Sequence, residues 1–420
     1  MVLDVVQFIL GLGPTVMLPI VITIIGMAFG QGFKKAFRSG VTIGVGFVGI
    51  NLVIGLLTSN LGDATHQMVT RYGLALNIID VGWPAAAAMT WASPVAAFMI
   101  PICMVVNIAM LVTKTTNVVD IDIWNYWHFA AAAATVFVLT EGNWIFAILA
   151  GIIYEIAVLK IADWTSPIVK NYFGMEGLSF PTGSTCAQGL IGIPIVKVIS
   201  KIPGIRNLHA DPEAIQKRFG IFGEPLMMGL ILGILLGILA GYPIGKILQI
   251  GIIMAGVMFL MPRMVKILME GLIPISESVK DYLQKKNFGK DRELTIGLDA
   301  AVAVGHPAVI ATALVLVPCT LFLSVVIPGN NVLPFGDLAT ICFYVAFIVG
   351  AAKGNIVHSV LAGMVVMGLA LLMATNIAQF HTSMAIAAHF QMPENTTMIS
   401  SLDLGGNFLN WIVIKIFQLI

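Results

Sequence analysis

Two stretches with the same sequence pattern decide the fold. Ser93-Pro94 opens a long apolar run that ends at Glu141-Gly142-Asn143, and His306-Pro307 opens a second run that ends at Lys353-Gly354-Asn355. The two prolines are 213 residues apart and the two Gly-Asn pairs are 212 residues apart. This repetition at nearly constant spacing indicates an internal duplication.

The same register continues upstream of both runs. Pro14 lies 211 residues before Pro225, and Gly40 lies 211 residues before Gly251. Insertions and deletions are therefore confined to loops. In a hydrophobic chain, a duplication is typical of transporters, in which two related halves enclose a site and move about it.

The composition indicates an integral membrane protein. Of 420 residues, 58% are hydrophobic and 10% are charged, and the mean hydropathy is +0.97. Soluble domains carry about 25% charged residues. The net charge of +1 gives no reason to expect nucleic acid as a partner. The four cysteines have neither metal-ligand nor disulfide spacing, so we expect buried thiols, no metal and no cofactor.

The apolar segments predict an all-α polytopic membrane protein with about five membrane segments per repeat and a further C-terminal helix. A span needs about 20 apolar residues. Trp127–Leu139 is short, so it and its successor form either two spans or one re-entrant hairpin. The C-terminal piece, Phe408–Ile420, has no partner in the first half. The other predicted segments are Val5–Phe29, Gly40–Leu57, Pro94–Val112 and Asn143–Ile161, then Pro225–Ala240, Ile244–Met261, Ala308–Val326, Leu338–Ala352 and Ile356–Ala374.

Basic residues orient the two repeats, because cytoplasmic loops are enriched in Lys and Arg. In the first half, Lys34, Lys35 and Arg38 follow the first span. In the second half the equivalent turn is nearly uncharged, and the basic loop comes one span later, at Arg263–Arg292. This pattern predicts inverted-topology repeats, with the N-terminus outside and the C-terminus in the cytoplasm.

Glycines recur at every fourth position from Gly229 to Gly245. On a helix this spacing makes a groove that a second backbone can approach closely. The groove serves either packing within one subunit or contact between subunits.

Polar groups at membrane depth are costly and usually face a cavity or a partner. Ser93 and His306 each precede a proline, which disfavours the helical conformation, so both lie in irregular segments at the start of a span. Irregular backbone is tolerated there only beside protein or a cavity. Asp299 lies shortly upstream of His306. His306 is either a ligand or a packing histidine.

The second pair of candidates is Asn143 and Asn355. Asparagine offers both a donor and an acceptor, which suits the hydroxyl of a polyol. Glu141 and Lys353 stand at equivalent positions with opposite charges. They either form an ion pair or lie among lipid headgroups at opposite surfaces.

The segment Pro181–Gly189 is dense in small hydroxyl residues and glycine, and it contains Thr185 and Gln188. It lacks the Gly-Lys-Ser/Thr ending of a nucleotide-binding loop. The segment is either a loop that dips toward a sugar site or a plain cytoplasmic turn.

Four further residues are candidates of lower weight. Trp91 is expected at the membrane interface, although an indole near Ser93 would also suit the C–H face of a sugar. His128, Glu155 and His358 are intramembrane groups that could equally form hydrogen bonds between helices.

Several of these motifs resemble the membrane IIC component of the bacterial galactitol-specific phosphotransferase system, a family grouped with the ascorbate permeases. The resemblance covers essentially the whole chain. The motifs that carry it are Leu12-Gly13-Pro14-Thr15, Trp91-Ala92-Ser93-Pro94, Asn125-Tyr126-Trp127-His128, Phe180-Pro181-Thr182-Gly183-Ser184-Thr185 and Val304-Gly305-His306-Pro307.

The resemblance implies a homodimeric, elevator-type transporter in the bacterial inner membrane. It also implies that a separate IIB protein phosphorylates the incoming polyol from a phosphocysteine and that a IIA protein supplies IIB. This chain would then have no phosphorylated residue of its own. The implied division follows the two repeats. Repeat 1 has a scaffold part at 1–80 and a core part at 81–162, and a cytoplasmic or re-entrant linker follows at 163–220. Repeat 2 has a scaffold part with a cytoplasmic loop at 221–298 and a core part at 299–380, and a C-terminal segment follows at 381–420.

We therefore predict a sugar-alcohol permease, with galactitol as the expected polyol. The alternative is an ion-coupled secondary transporter that uses Glu141, Glu155 or Asp299 as a proton carrier. An intramembrane enzyme is disfavoured because the sequence shows no metalloprotease or serine–lysine motif. The predicted substrate-binding residues are Ser93, Asn143, Gln188, Asp299, His306 and Asn355, supplemented by Trp91, His128, Glu141, Thr185 and His358.

Overall fold

The protein was analysed as a computed structural model, which describes residues 14–72, 76–120, 122–210, 224–285, 293–388, 390, 392 and 396–420. The described chain is mostly helical, as predicted. It also contains short β-strands, which the apolar pattern did not predict.

One order of elements occurs twice along the chain. In the first half it runs α1 Pro14–Ala28, α2 Phe33–Tyr72, β1 Ile78–Asp80, α3 Gly82–Ala92, α4 Ala96–Val112, β2 Val118–Asp120, a 3-10 turn Ile123–Asn125, α5 Tyr126–Leu139, α6 Trp144–Asn171, β3 Leu178–Ser179 and α7 Gly183–Ile199. In the second half it runs α8 Pro225–Leu239, α9 Ile244–Lys285, β4 Thr295–Gly297, α10 Ala301–Val304, α11 Pro307–Val326, β5 Val332–Leu333, a 3-10 turn Leu338–Thr340, α12 Ile341–Ala351, α13 Ile356–Ala387, β6 Met398–Ser400 and α14 Phe408–Phe417. The C-terminal helix α14 therefore has a counterpart in this order, α7, contrary to our expectation.

The second helix of each half is much longer than a membrane span. Helix α2 has 40 residues and α9 has 42, and a helix of that length measures about 60 Å at about 1.5 Å per residue. The hydrocarbon core is only about 30 Å thick. Each helix is therefore about twice as long as a single crossing requires.

This length corrects the predicted charged loop at Arg263–Arg292. The stretch 263–285 belongs to α9, because Lys and Glu are good helix formers and can continue a helix into water. The remainder of that predicted loop, 286–292, lies outside the described residues.

Helices α1 and α8 pack against α2 and α9, and α2 packs along α9. The glycine series of α8 faces its own hairpin partner. A Cβ at Gly229 would lie 2.5 Å from the Met254 carbonyl oxygen, and one at Gly233 would lie 2.6 Å from that of Ile250. For these glycines, packing within one subunit is the correct interpretation.

Two small parallel sheets join the halves. Strand β1 lies between β5 and β6, and β4 lies between β2 and β3. Each half thus supplies the central strand of one sheet and the outer strands of the other. This interleaving brings the segments that follow β3 and β6 into the centre of the molecule.

Helices α6, α11 and α13 are long and apolar enough to cross a membrane. Helix α5 has 14 residues and α12 has 11, and most side chains of both are buried in protein. These short helices fill the space between the long ones, and α5 carries His128 into the core.

Candidate functional site

The first turn of α7 packs directly on two polar side chains. A Cβ at Gly183 would lie 2.5 Å from His128 Cγ and 2.7 Å from the Tyr154 hydroxyl oxygen. Only glycine therefore allows the start of α7 to approach α5 and α6 this closely. His128 and Tyr154 are both buried.

His128 also contacts the segment that follows β6. Its Nε2 lies 3.3 Å from Asp403 Oδ2, and the two side chains are 3% and 4% exposed. The contact is at ion-pair distance but lacks hydrogen-bond alignment, and Asp403 Oδ1 has no partner in the described chain. The two groups come from opposite halves of the chain.

A second link between the halves lies one turn further along α7. Gln188 Nε2 donates to the Gly406 carbonyl oxygen at 2.7 Å. Thr185, three residues earlier, lies on the same face of α7. Both side chains are buried, and the Thr185 hydroxyl and Gln188 Oε1 have no partner among the described residues.

Asparagines complete the cluster from the start of α14. Asn407 caps this helix, with its Oδ1 accepting from the Asn410 amide at 3.1 Å, and its side chain lies beside the Tyr154 hydroxyl. Asn410 Nδ2 donates to the Leu404 carbonyl oxygen at 3.0 Å. We call the whole group the buried polar site; it comprises His128, Tyr154, Thr185, Gln188, Asp403, Asn407 and Asn410.

The site consists of hydrogen-bonding groups, with Asp403 as its one carboxylate. Within the described chain, its buried atoms without a hydrogen bond are His128 Nδ1 and Nε2, Tyr154 Oη, Thr185 Oγ1, Gln188 Oε1, Asp403 Oδ1, Asn407 Nδ2 and Asn410 Oδ1. Buried polar groups in proteins are nearly always satisfied, so a group of unsatisfied ones requires an explanation. Such a mixture of donors and acceptors suits a ligand with several hydroxyls.

Carboxylates at the end of one sheet hold the Asp403 backbone in place. Asp337 Oδ2 accepts from the Asp403 amide at 3.0 Å and from the Ser401 hydroxyl at 2.6 Å. Asp80 Oδ2 in turn accepts from the Asp337 amide at 2.8 Å. Asp80 and Asp337 thus position the segment that carries Asp403.

An equivalent network holds the start of α7. The Thr182 hydroxyl accepts from the Ala300 amide at 2.8 Å and donates to Asn125 Oδ1 at 3.1 Å. Nearby, Asp122 Oδ2 accepts from the Asp299 amide at 3.1 Å. Asp299, a predicted ligand, belongs to this network, where its own Oδ1 accepts from the Ala301 amide.

Of the residues predicted from sequence, the structure brings His128, Thr185 and Gln188 together. Three others cap helices. Asn143 Oδ1 accepts from the Ile145 and Phe146 amides, Asn355 Oδ1 accepts from the His358 amide, and His306 Nδ1 accepts from the Ala308 amide. The His306 ring packs on Tyr172 and Phe173.

The remaining predicted residues are not among those that form the buried polar site. Ser93 ends α3, and its hydroxyl and the Trp91 indole nitrogen are buried without a partner in the described chain. His358 Nε2 lies 3.0 Å from the Ile205 carbonyl oxygen. Glu155, on α6, is buried beside the thiol of Cys103 on α4.

Glu141 and Lys353 lie on exposed turns at opposite ends of α6. Glu141 lies just before the start of α6, whereas the turn that contains Lys353 contacts Tyr172, at the other end. The 28 residues of α6 span about 42 Å at about 1.5 Å per residue. The ion pair is therefore excluded, and the two charges lie at opposite ends of α6.

Sequence reasoning missed Tyr154, Asp403, Asn407 and Asn410. A signal for the last three was present, because Ser400–Asn407 is rich in glycine and short polar residues and precedes an apolar helix, as Pro181–Gly183 does. We assigned no counterpart to the C-terminal helix, and this resemblance between the two segments was therefore overlooked.

Comparison with known proteins identifies close relatives over almost the full length. Residues 8–395 match the family described as "PTS system sugar-specific permease component". The chain is 41% identical over 415 residues to the "PTS system galactitol-specific EIIC component" of Escherichia coli K12, covering 99% of this chain and 91% of the relative, with the same figures for the O157:H7 protein. It is 37% identical over 413 residues to a "Putative permease IIC component" of E. coli K12, covering 98% of this chain and 94% of that protein.

Proposed function

The chain belongs to the family of sugar-specific permease components of the phosphotransferase system, and we propose that it carries galactitol across the bacterial inner membrane for phosphorylation by soluble partners. Those partners are a IIB protein that donates the phosphoryl group from a phosphocysteine and a IIA protein that recharges it. The galactitol specificity named for the E. coli relatives supports the choice of substrate.

The observation that carries this proposal is the buried polar site. A hexitol has several hydroxyls and no charge, so its pocket needs many donors and acceptors rather than a counter-ion. The amide, hydroxyl and imidazole groups of Gln188, Asn407, Tyr154 and His128 supply such a set at the meeting point of the two halves. Leaving one buried polar group unsatisfied costs about 1–3 kcal/mol, so a hydroxylated ligand that pairs with several of them gains affinity.

We also propose that the repeated element order reflects two inverted-topology repeats. The Gly-Asn turns of the two halves lie at opposite ends of α6, which supports opposite orientations. With the N-terminus outside, the loop 200–210 faces the cytoplasm. The Lys353 turn lies on the same side, because Asn355 Nδ2 donates to the Leu208 carbonyl oxygen at 2.9 Å.

The end of α14 then lies on the outer side, because Phe417 contacts Phe146 at the Glu141 end of α6. We therefore propose an outer C-terminus in place of the cytoplasmic one expected from the sequence.

Movement of the substrate is proposed to follow an elevator scheme in a homodimer. Helices α1, α2, α8 and α9 would form the scaffold and the dimer contact. The interleaved sheets support movement of the remaining elements as one body, because the two halves cannot separate without breaking strand pairs. Helices α7 and α14 contribute to the buried polar site, so we place them in the core rather than in a linker and a tail.

Calorimetry and phosphorylation assays test the function. Purified protein should bind galactitol without any ion gradient, and vesicles that contain it should form galactitol phosphate only when phosphorylated partners are present. Sorbitol serves as the matched hexitol control and should bind more weakly. Uphill accumulation of unmodified galactitol driven by a proton or sodium gradient would replace the proposal with the ion-coupled alternative.

A further inference from the structure

We propose that His128 accepts the proton of the substrate hydroxyl that receives the phosphoryl group, and that Asp403 orients His128 for this task. The inference rests on the proposed function and assigns a chemical role within the same site. It is drawn from the contact between His128 and Asp403, which joins the two halves of the chain.

The geometry gives the two ring nitrogens of His128 different roles. Nε2 lies 3.3 Å from Asp403 Oδ2, at ion-pair distance, so the negative carboxylate favours the tautomer with the proton on Nε2. The neutral ring then carries its lone pair on Nδ1, and Nδ1 has no partner in the described part of the chain. A buried imidazole with a carboxylate on one nitrogen and a free lone pair on the other is arranged as a base.

Contacts with other residues hold both His128 and Asp403 in place. The His128 ring lies against the backbone of Gly183, where no side chain could fit. The Asp403 amide donates to Asp337 Oδ2 at 3.0 Å, which fixes the segment that carries the carboxylate. A ring that is clamped on one face and faces a carboxylate at one nitrogen has little freedom to turn Nδ1 away.

His128 and Asp403 are the two basic groups of the site. The other members are amides and hydroxyls, which are poor bases near neutral pH. The Asp403 carboxylate faces Nε2 of His128. Imidazole is the side chain that most often serves as a general base in enzymes.

The proposed step balances in atoms and charge. The substrate oxygen attacks the phosphorus of the partner's phosphocysteine, an O–P bond forms, and the S–P bond breaks to release the cysteine thiolate. The hydroxyl proton moves to Nδ1 of His128, and Asp403 stabilises the resulting imidazolium. His128 returns the proton to water when the phosphorylated product leaves.

The start of α7 supports the same location for the phosphoryl group. Gly183 is the first residue of this 17-residue helix, and its N-cap residue Thr182 makes no side-chain cap hydrogen bond. The free amides and the positive end of the helix dipole favour an anion there. The His128 ring is in contact with this end.

The test separates binding from turnover. In His128→Gln the amide retains a donor and an acceptor for the substrate, so we expect galactitol affinity within a few-fold of wild type. The kcat of partner-dependent phosphorylation should fall by about 100-fold or more, in the range for loss of a general base. Asp403→Asn should also reduce kcat, although less than His128→Gln, because the base itself remains. His358→Gln is the matched control and should change neither value, since His358 lies outside the site.

Normal kcat in correctly folded His128→Gln would overturn the inference. Loss of affinity in proportion to the loss of rate would also overturn it, by making His128 a ligand only. If neither variant folds, single-turnover phosphorylation by the wild type in D2O decides, because a proton transferred in the chemical step slows the reaction and a rate equal to that in H2O contradicts the proposal. Failure of the proposed function itself gives a different result: the wild type then neither binds galactitol nor supports its phosphorylation.

Discussion

Gln188 donates a 2.7 Å hydrogen bond from Nε2 to the carbonyl oxygen of Gly406, across 218 residues of sequence. The donor lies in α7, which follows the third strand of the first half, and the acceptor lies just before α14, which follows the third strand of the second half. One side chain thus joins the two segments that build the buried polar site. The bond is buried, so water cannot replace it.

Gln188→Ala should weaken galactitol binding by about 10-fold. The change removes Oε1, which we propose contacts the substrate. It also leaves the Gly406 carbonyl unsatisfied, at a cost of about 1–3 kcal/mol, and 1.4 kcal/mol corresponds to a factor of ten. Calorimetry on purified protein measures the affinity. Gln418→Ala, at an exposed helix end, is the control. Unaltered affinity in Gln188→Ala would place the substrate elsewhere.

Asn143→Ala should destabilise the protein and leave affinity for galactitol intact. Asn143 caps α6 through the Ile145 and Phe146 amides, and loss of an N-cap costs about 1 kcal/mol. Asn143→Asp, which retains the capping oxygen, should restore the thermal unfolding temperature. If Asn143→Ala instead keeps its unfolding temperature and loses affinity, Asn143 is the ligand that the sequence pattern predicted.

The sequence predicted most of the helices but none of the sheets. Apolar segments of membrane length are visible in composition. A strand of two or three residues, such as Leu178–Ser179, is too short to show an alternating pattern, and its partners lie more than a hundred residues away. The element that joins the halves therefore has no local signature.

The buried polar site was predicted only in part, because some of its residues also lack a clear local signature. Pro181–Gly189 drew attention through its composition and contains Thr185 and Gln188, whereas Asp403 and Asn407 were treated as part of a tail. Asn143 illustrates the opposite problem, because asparagine both caps helices and binds hydroxyls. Composition alone does not separate these uses, and only the hydrogen bonds of the folded chain do.

The topology can be tested at the Glu141 turn and in the loop 200–210. In a background with the four native cysteines changed to serine, a thiol introduced at Glu141 should react with an impermeant reagent in intact cells. A thiol at Arg206 should react only after the cells are opened, because loop 200–210 is assigned to the cytoplasm. Labelling of both thiols in intact cells would refute the inverted orientation.

Gly183→Ala should impair the buried polar site more than any other Gly→Ala substitution in α7 or α9. The new Cβ would lie 2.5 Å from His128 Cγ and 2.7 Å from the Tyr154 hydroxyl oxygen, so the ring, the tyrosine or the helix start must shift. Overpacking of this kind costs about 1–3 kcal/mol of folding free energy. We expect a lower unfolding temperature and weaker galactitol binding, because both displaced groups belong to the buried polar site.

Gly256→Ala in α9 is the matched control, since nothing lies within 4 Å of its Cβ and Ala has the higher helix propensity. Gly256→Ala should therefore equal or exceed the wild type in stability and keep its affinity. Thermal unfolding and calorimetry on both variants decide the matter: if Gly183→Ala matches Gly256→Ala in affinity, the close approach of α7 to His128 and Tyr154 does not shape the substrate site.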